Sequence, residues 1–161
     1  MKLFFGVIMA ISLSLIVFKF ANKYFLQKKF YDNLTNFLEY LYSNLSFHND
    51  NAHSIFINFH NNNFDLQQII SGYANNIKSR IDIWTYLDKI SYLSITDKTQ
   101  IANFFNNFGT VDKDTQLNNI QSMLDWSKQK QTYSYTECLQ KGKMYRTLSI
   151  MLGLAILVIY I

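Results

Sequence analysis

Apolar positions along this chain follow three patterns. At each end they run almost unbroken, as LFFGVIMAISLSLIVF from Leu3 to Phe18 and TLSIMLGLAILVIYI from Thr147 to Ile161. After the first run they recur at helical spacing. Phe20, Tyr24, Gln27, Tyr31, Leu34, Leu38, Leu41 and Leu45 lie alternately four and three apart, a heptad-like seam that Phe30 and Phe37 widen. The first helix is therefore expected to continue as a stem to about Asn44. The polar break SFHNDN, Ser46 to Asn51, ends it. A short helix is expected over Ala52 to His60, then a turn at NNNFD. Another helix starts near Asp65, with Leu66, Ile69, Ile70, Tyr73, Ile77 and Ile81 on one face. A further pattern carries Ile83, Trp84, Leu87, Ile90 and Leu93, and spacing leaves open whether these last two are one helix.

The third pattern follows FGTVDKDTQ, Phe108 to Gln116. Thr96 or Asp97 is expected to cap a helix whose apolar positions are Ile101, Phe104, Phe105 and Phe108. Gly109 fits the position just after a helix, where the backbone turns left-handed and glycine takes that shape without strain. Asp112 fits an N-cap, its carboxylate accepting N–H bonds from the next helix. Gln116 lies one turn further on. The last cytoplasmic helix then carries Leu117, Ile120 and Leu124 before its seam becomes small and polar at Ser127, Gln131, Ser134 and Cys138. The class expected is all-α, an antiparallel helical bundle over residues 21–143 flanked by terminal transmembrane helices at 1–20 and 144–161.

The first apolar run, with Lys19 reaching back to the interface, is just long enough for a ~30 Å hydrocarbon layer. A secretory signal peptide is the rival, but only Lys2 precedes the run and no clear small-x-small cleavage site follows. The second run spans roughly 22 Å at ~1.5 Å per residue, and Met144 to Arg146 extend it toward the needed length. Its alternative is a buried core helix. Each run holds a small-xxx-small pair, Gly6 with Ala10 and Ser149 with Gly153, suited to close helix packing.

Charge adds an orientation. The inner flanks of the two runs carry Lys19, Lys23, Lys28, Lys29, Lys128, Lys130, Lys141, Lys143 and Arg146; the outer flanks carry only Lys2. By the positive-inside rule the middle of the chain is expected in the cytoplasm, its basic flanks against anionic headgroups of the lipid bilayer. From Phe30 to Ser127 ten acids face five bases, a net of −5 against +4 for the whole chain. A nucleic-acid binder would carry its positive stripe on that domain, so no nucleic-acid partner is expected.

Composition changes little else. The 161 residues suit one modest domain, and the absence of proline favours long helices. Abundant asparagine, lysine and isoleucine fit an AT-rich genome, and the run Asn61 to Asn63 is given no function. The single cysteine, Cys138, rules out an internal disulfide. His48, His53 and His60 are spaced five and seven apart, unsuited to one helical face, and with Asp50 they make a poor metal set. Asp112 and Asp114, two apart, point in different directions. No phosphate loop, nucleophile elbow or zinc motif occurs. No enzyme activity, cofactor, metal or small-molecule substrate is expected.

The sequence FGTVDKDTQLNNIQSML, then a polar helical stretch, then KMYRTLSIMLGLAILVIYI resembles the stage III sporulation protein AB family. That family pairs leucine with glycine, then places aspartate three residues after the glycine and glutamine four after that; Gly109, Asp112 and Gln116 match. Lys143, Tyr145 and Arg146 match its Lys-x-Tyr-Arg entry to the last span, and Trp84 its isolated mid-chain tryptophan. The likeness is good from Trp84 to Ile161; earlier, only the first span and stem fit. It departs at Ser46 and Phe47, where the family has proline, and at Leu148 and Ser149, where it has leucine-glycine. The resemblance implies a bundle similar to the F-domain of type II secretion and type IV pilus platform proteins. It further implies a place in a sporulation complex of membrane subunits in the mother-cell-derived forespore membrane, with a secretion-type ATPase as cytoplasmic partner. The alternatives are a stand-alone platform subunit of a secretion or pilus apparatus, and a membrane-bound enzyme or metal-dependent regulator.

Overall fold

The computed structural model describes residues 2–48, 52–76 and 82–160; the side chains of residues 2–11, 13, 14, 48, 52, 53, 76, 157, 159 and 160 fall outside that description. In chain order the elements are α1 (Lys2–Ser43), a π-helical turn (Asn44–His48), α2 (Ala52–Asn58), α3 (Phe64–Asn76), α4 (Trp84–Leu87), α5 (Ile95–Asn107), α6 (Lys113–Glu137), a second π-helical turn (Cys138–Gly142) and α7 (Lys143–Tyr160). No strand occurs among the described residues, and the fold is all-α. Two compact units emerge, Lys29–Gln131 and a terminal unit of Met1–Lys28 with Thr132–Ile161. The terminal unit thus includes residues 21–28 and 132–143, which hydropathy alone assigns to the bundle.

Within the bundle unit, the widened seam of α1 is the core's spine. Phe30, Tyr31, Leu34, Phe37, Leu38 and Leu41 are all fully buried, and Ile69 and Ile70 of α3 and Phe105 of α5 join them. Phe37 sits 5.4 Å from Phe56, 5.0 Å from Phe59 and 6.3 Å from Phe105, ring centre to ring centre. Such edge and offset pairs add to the area each ring removes from water. Burying one of these rings contributes about 2–3 kcal/mol.

Several element ends differ from the sequence expectation. Helix α5 is capped by Ser94, whose hydroxyl accepts from the Asp97 N–H at 3.1 Å, not by Thr96 or Asp97. Asp97 is instead buried in an ion pair. Helix α2 stops at Asn58, two residues early, and the Phe59 and Asn61 backbones bond Gln67 of α3. Asn63 is a structural residue: its side chain caps α3 by accepting from Leu66 N–H, and its own N–H donates to Asn61. Around Ile83 to Leu93 only Trp84–Leu87 is helical; Ile83, Leu87 and Ile90 are nevertheless buried. Residues 77–81 lie outside the described residues, and with them the question of one helix or two.

The terminal unit has a different interior. Its buried positions include Ala21, Ser134, Cys138, Gly142 and Ser149, all small. The second π-helical turn comprises Cys138 to Gly142, and a Cβ on Gly142 would stand 3.3 Å from the Phe25 ring. Large apolar side chains lie outward, among them Leu15, Ile16, Phe20, Ile150, Met151, Leu154 and Val158. Among the described residues no helix is long and apolar enough to cross a membrane. Much of the first apolar run, including Gly6 and Ala10, lies outside the described side chains, so the expected spans rest on the sequence.

Candidate functional site

The turn between α5 and α6 is built on both sides by its own residues. Phe108 ends α5 in extended conformation, and Gly109 follows at φ +78°. That left-handed angle is the one a helix C-terminus needs and that side chains resist. The Gly109 N–H donates not to the preceding helix but forward, to Oε1 of Gln116 at 2.9 Å. Gln116 is buried, so this bond closes the turn from within. From the core, the Tyr73 hydroxyl donates to the Phe108 carbonyl at 3.1 Å, and burial raises the pKa of that phenol. Asp112 Oδ2 accepts from the Thr115 N–H at 3.0 Å, and the Asp112 carbonyl accepts from the Gln116 N–H at 2.8 Å. Thr115's backbone and hydroxyl hold the Asp112 carboxyl below its ordinary value. Asp112, Lys113 and Asp114 are all exposed, an alternating-charge tip on a fixed frame.

Two cavities share Gln116. One, of about 190 Å³, lies between α5 and α6 and is lined by Gln100, Asn103, Asn119 and Ser122 over Phe104 and Met123. The other, of about 230 Å³, is more apolar, with Leu45, Phe108, Val111 and Leu117 on its walls and Lys113 among its lining residues. Nothing lies within 4 Å of where a Gly109 Cβ would be, so the surface over the turn is open. Sequence spacing locates Gly109, Asp112 and Gln116; the Gln116 bond and the two cavities have no local signal.

The basic flanks sort by partner. Lys128 and Lys130 belong to the bundle unit and are paired there, with Glu39 at 2.9 Å and Asp97 at 2.7 Å. They are not part of a free membrane collar. Burial pushes the Asp97 carboxyl up, but hydrogen bonds from Lys130, Tyr31 and Ser94, with the Lys130 charge, hold it below its ordinary value. Lys141 bridges Glu137 at 2.6 Å, and this bond raises its pKa. Lys28 lies 5.7 Å from the Tyr135 ring centre. Lys19, Lys23, Lys29 and Lys143 are exposed. The Arg146 guanidinium lies 4.0 Å from the Phe25 ring centre and 5.6 Å from that of Phe18. Ser149 is buried and Gly153 half-buried.

Among the described residues no group of histidine, cysteine, aspartate or glutamate could hold a metal ion. The side chains of His48 and His53, and Asp50, lie outside the described residues. Cys138 is a free thiol, buried in the π-helical turn.

A family model described as stage III sporulation protein AB matches residues 2–161. No curated protein and no solved structure matches the chain significantly.

Proposed function

The chain belongs to the stage III sporulation protein AB family and acts in stage III of sporulation, and on that premise we propose that it is a non-enzymatic platform subunit of the complex between mother cell and forespore. In this reading the terminal helices hold it in the mother-cell-derived forespore membrane, beside other membrane subunits. The central bundle, F-domain-like, faces the cytoplasm and docks a secretion-type ATPase.

The observation that carries the reading is the family match along essentially the whole chain. Three further features support its parts. The terminal apolar runs are flanked on their inner sides by basic residues, as the positive-inside rule requires of a cytoplasmic centre. The outward apolar side chains of the terminal unit form a surface that water disfavours. The Gly109–Gln116 turn supplies a rigid, open, charged tip with a cavity on either side. A motor subunit needs a fixed contact on its platform, and hydrogen bonds at both ends of this turn resist its deformation.

Deletion in the source organism, followed by microscopy of sporulating cells, tests the role. Arrest after engulfment, with forespores that form and fail to develop, is expected; normal spores would remove the protein from the complex. Co-purification with the secretion-type ATPase tests the docking. Reversing Asp112 and Asp114 to lysine together should weaken that contact; unchanged recovery with unchanged thermal stability would exclude the turn as the docking surface.

A further inference from the structure

The exposed cations of the terminal unit differ in what surrounds them, and Arg146 stands apart. Lys141 is neutralised by Glu137. Arg146, in the first turn of α7, has no carboxylate partner among the described residues. Its guanidinium is instead in contact with the Phe25 ring and close to Phe18. The neighbouring Tyr145 stacks on Tyr24 at 6.0 Å with ring planes 9° apart and lies 6.5 Å from Phe20. The base of the arginine is therefore packed among aromatic rings from α1.

Aromatic contact holds a guanidinium through the ring's negative face but satisfies none of its N–H groups. Five donors remain for an acceptor from outside, and the fork geometry suits two oxygens of a phosphate. The position selects the source. Leu148, Ile150, Met151 and Leu154, beginning two residues further along α7, are all exposed and apolar, and Phe18 and Phe20 are exposed on α1. Arg146 thus sits where an apolar helical surface gives way to a basic, aromatic one, the composition that settles at headgroup depth.

We propose that Arg146, cradled by Phe25 and Phe18, binds the phosphate of an anionic lipid headgroup. The inference rests on the membrane reading above and adds a specific residue and ligand. The arginine fixes the register of α7 at the interface, and the rings limit its rotamers so that little order is lost on binding.

The test uses the full chain in neutral detergent micelles, titrated with short-chain phosphatidylglycerol, short-chain phosphatidylcholine or inorganic phosphate. Retained lipid is counted by native mass spectrometry and stability by melting temperature. Phosphatidylglycerol should be retained over phosphatidylcholine and should raise the melting temperature, and inorganic phosphate should do neither. Arg146→Gln should lower the phosphatidylglycerol preference about fivefold, the worth of one cation at an anionic surface. Arg146→Lys, which keeps charge and fold, should lose about half of that preference with the fork; Phe25→Leu should also reduce it. An unchanged preference in Arg146→Gln, or inorganic phosphate acting as well as the lipid, overturns the proposal. Carbonate extraction of cell membranes separates the two claims. Release of the wild-type chain defeats the membrane reading, whereas retention of both wild type and Arg146→Gln leaves the micelle titration to judge Arg146 alone.

Discussion

The two units of this protein bury opposite things. In Lys29–Gln131 large rings and branched chains make the core: Phe30, Phe37, Phe56 and Phe105 are essentially inaccessible, although single apolar chains such as Phe47, Phe64 and Ile95 are exposed. In the terminal unit the inside is small, with Ala21, Ser134, Cys138, Gly142 and Ser149, and the large apolar chains face out, Val158 at 74% exposure and Ile150 at 66%. The contrast is one of driving force. Water stabilises the first arrangement by the apolar area it hides. It gives no such reason for the second, in which small buried residues and a few aromatic contacts such as Tyr24 with Tyr145 make the packing and large apolar chains stay exposed; the membrane reading proposed above would account for that surface.

Substitutions can break or sharpen this contrast. The largest effect belongs to the bundle core. Phe37→Ala should cost about 4 kcal/mol in urea unfolding of the detergent-solubilised chain, because a fully buried ring leaves a cavity among Phe56, Phe59 and Phe105. Leu154→Ala, on the outward face of the terminal unit, should scarcely move the same transition. If the two cost the same, the units do not differ as described.

Next is the ion pair beneath α5. Asp97→Asn should cost about 2 kcal/mol, less than for a fully desolvated pair because the Lys130 side chain is 34% exposed. Its pH dependence has a definite sign. The folded carboxyl lies below its ordinary value of 3.8, so its contribution is complete above that value and is lost as pH falls through the lower folded one. Acid melting curves of wild type and Asp97→Asn should therefore converge below about pH 4.

Gly142→Leu should cost about 1.5 kcal/mol by crowding Phe25, the net of overpacking against the gain from removing a helical glycine. The opposite substitution type in the bundle, Phe37→Ala, destabilises by emptying space; here filling space does so.

Gly109→Ala should cost about 1 kcal/mol through backbone strain alone, since no atom waits for the new methyl group, and Gly109→Asn less, since asparagine tolerates the left-handed region. Equal losses would mean that φ is not the cause. Asp112→Ala should have the smallest effect on stability, a slight loss confined to the exposed first turn of α6, seen as faster hydrogen exchange at Thr115.

Much of this architecture was readable in advance where the forces are local. The seam from Tyr31 to Leu41, the left-handed Gly109 and the Asp112 cap each depend on residues within about a turn or two of one another, whereas Phe20, at the start of the expected seam, is exposed. Reading failed where a local cue had competitors. Thr96, Asp97 and Ser94 are all cap-forming residue types, and the choice fell to Ser94 because Lys130, far along the chain, engages Asp97. Asn61 to Asn63 had no assigned role because three asparagines in a row leave open which one caps α3; the structure gives the cap to Asn63, with Asn61 accepting from the Asn63 N–H.

By itself the sequence determined helices, their approximate ends, two apolar terminal runs with an oriented charge distribution, and the family, since all of these are properties of neighbouring residues. Tertiary structure alone decided that Gln116 reaches back to Gly109, that Tyr73 supports Phe108 across 35 positions, that Thr35 and Ser127 bond in the core, and that Phe25 and Arg146 meet. Such contacts join residues that helical spacing cannot bring together, and they form only once burial has made an unpaired polar group costly and set distant helices side by side.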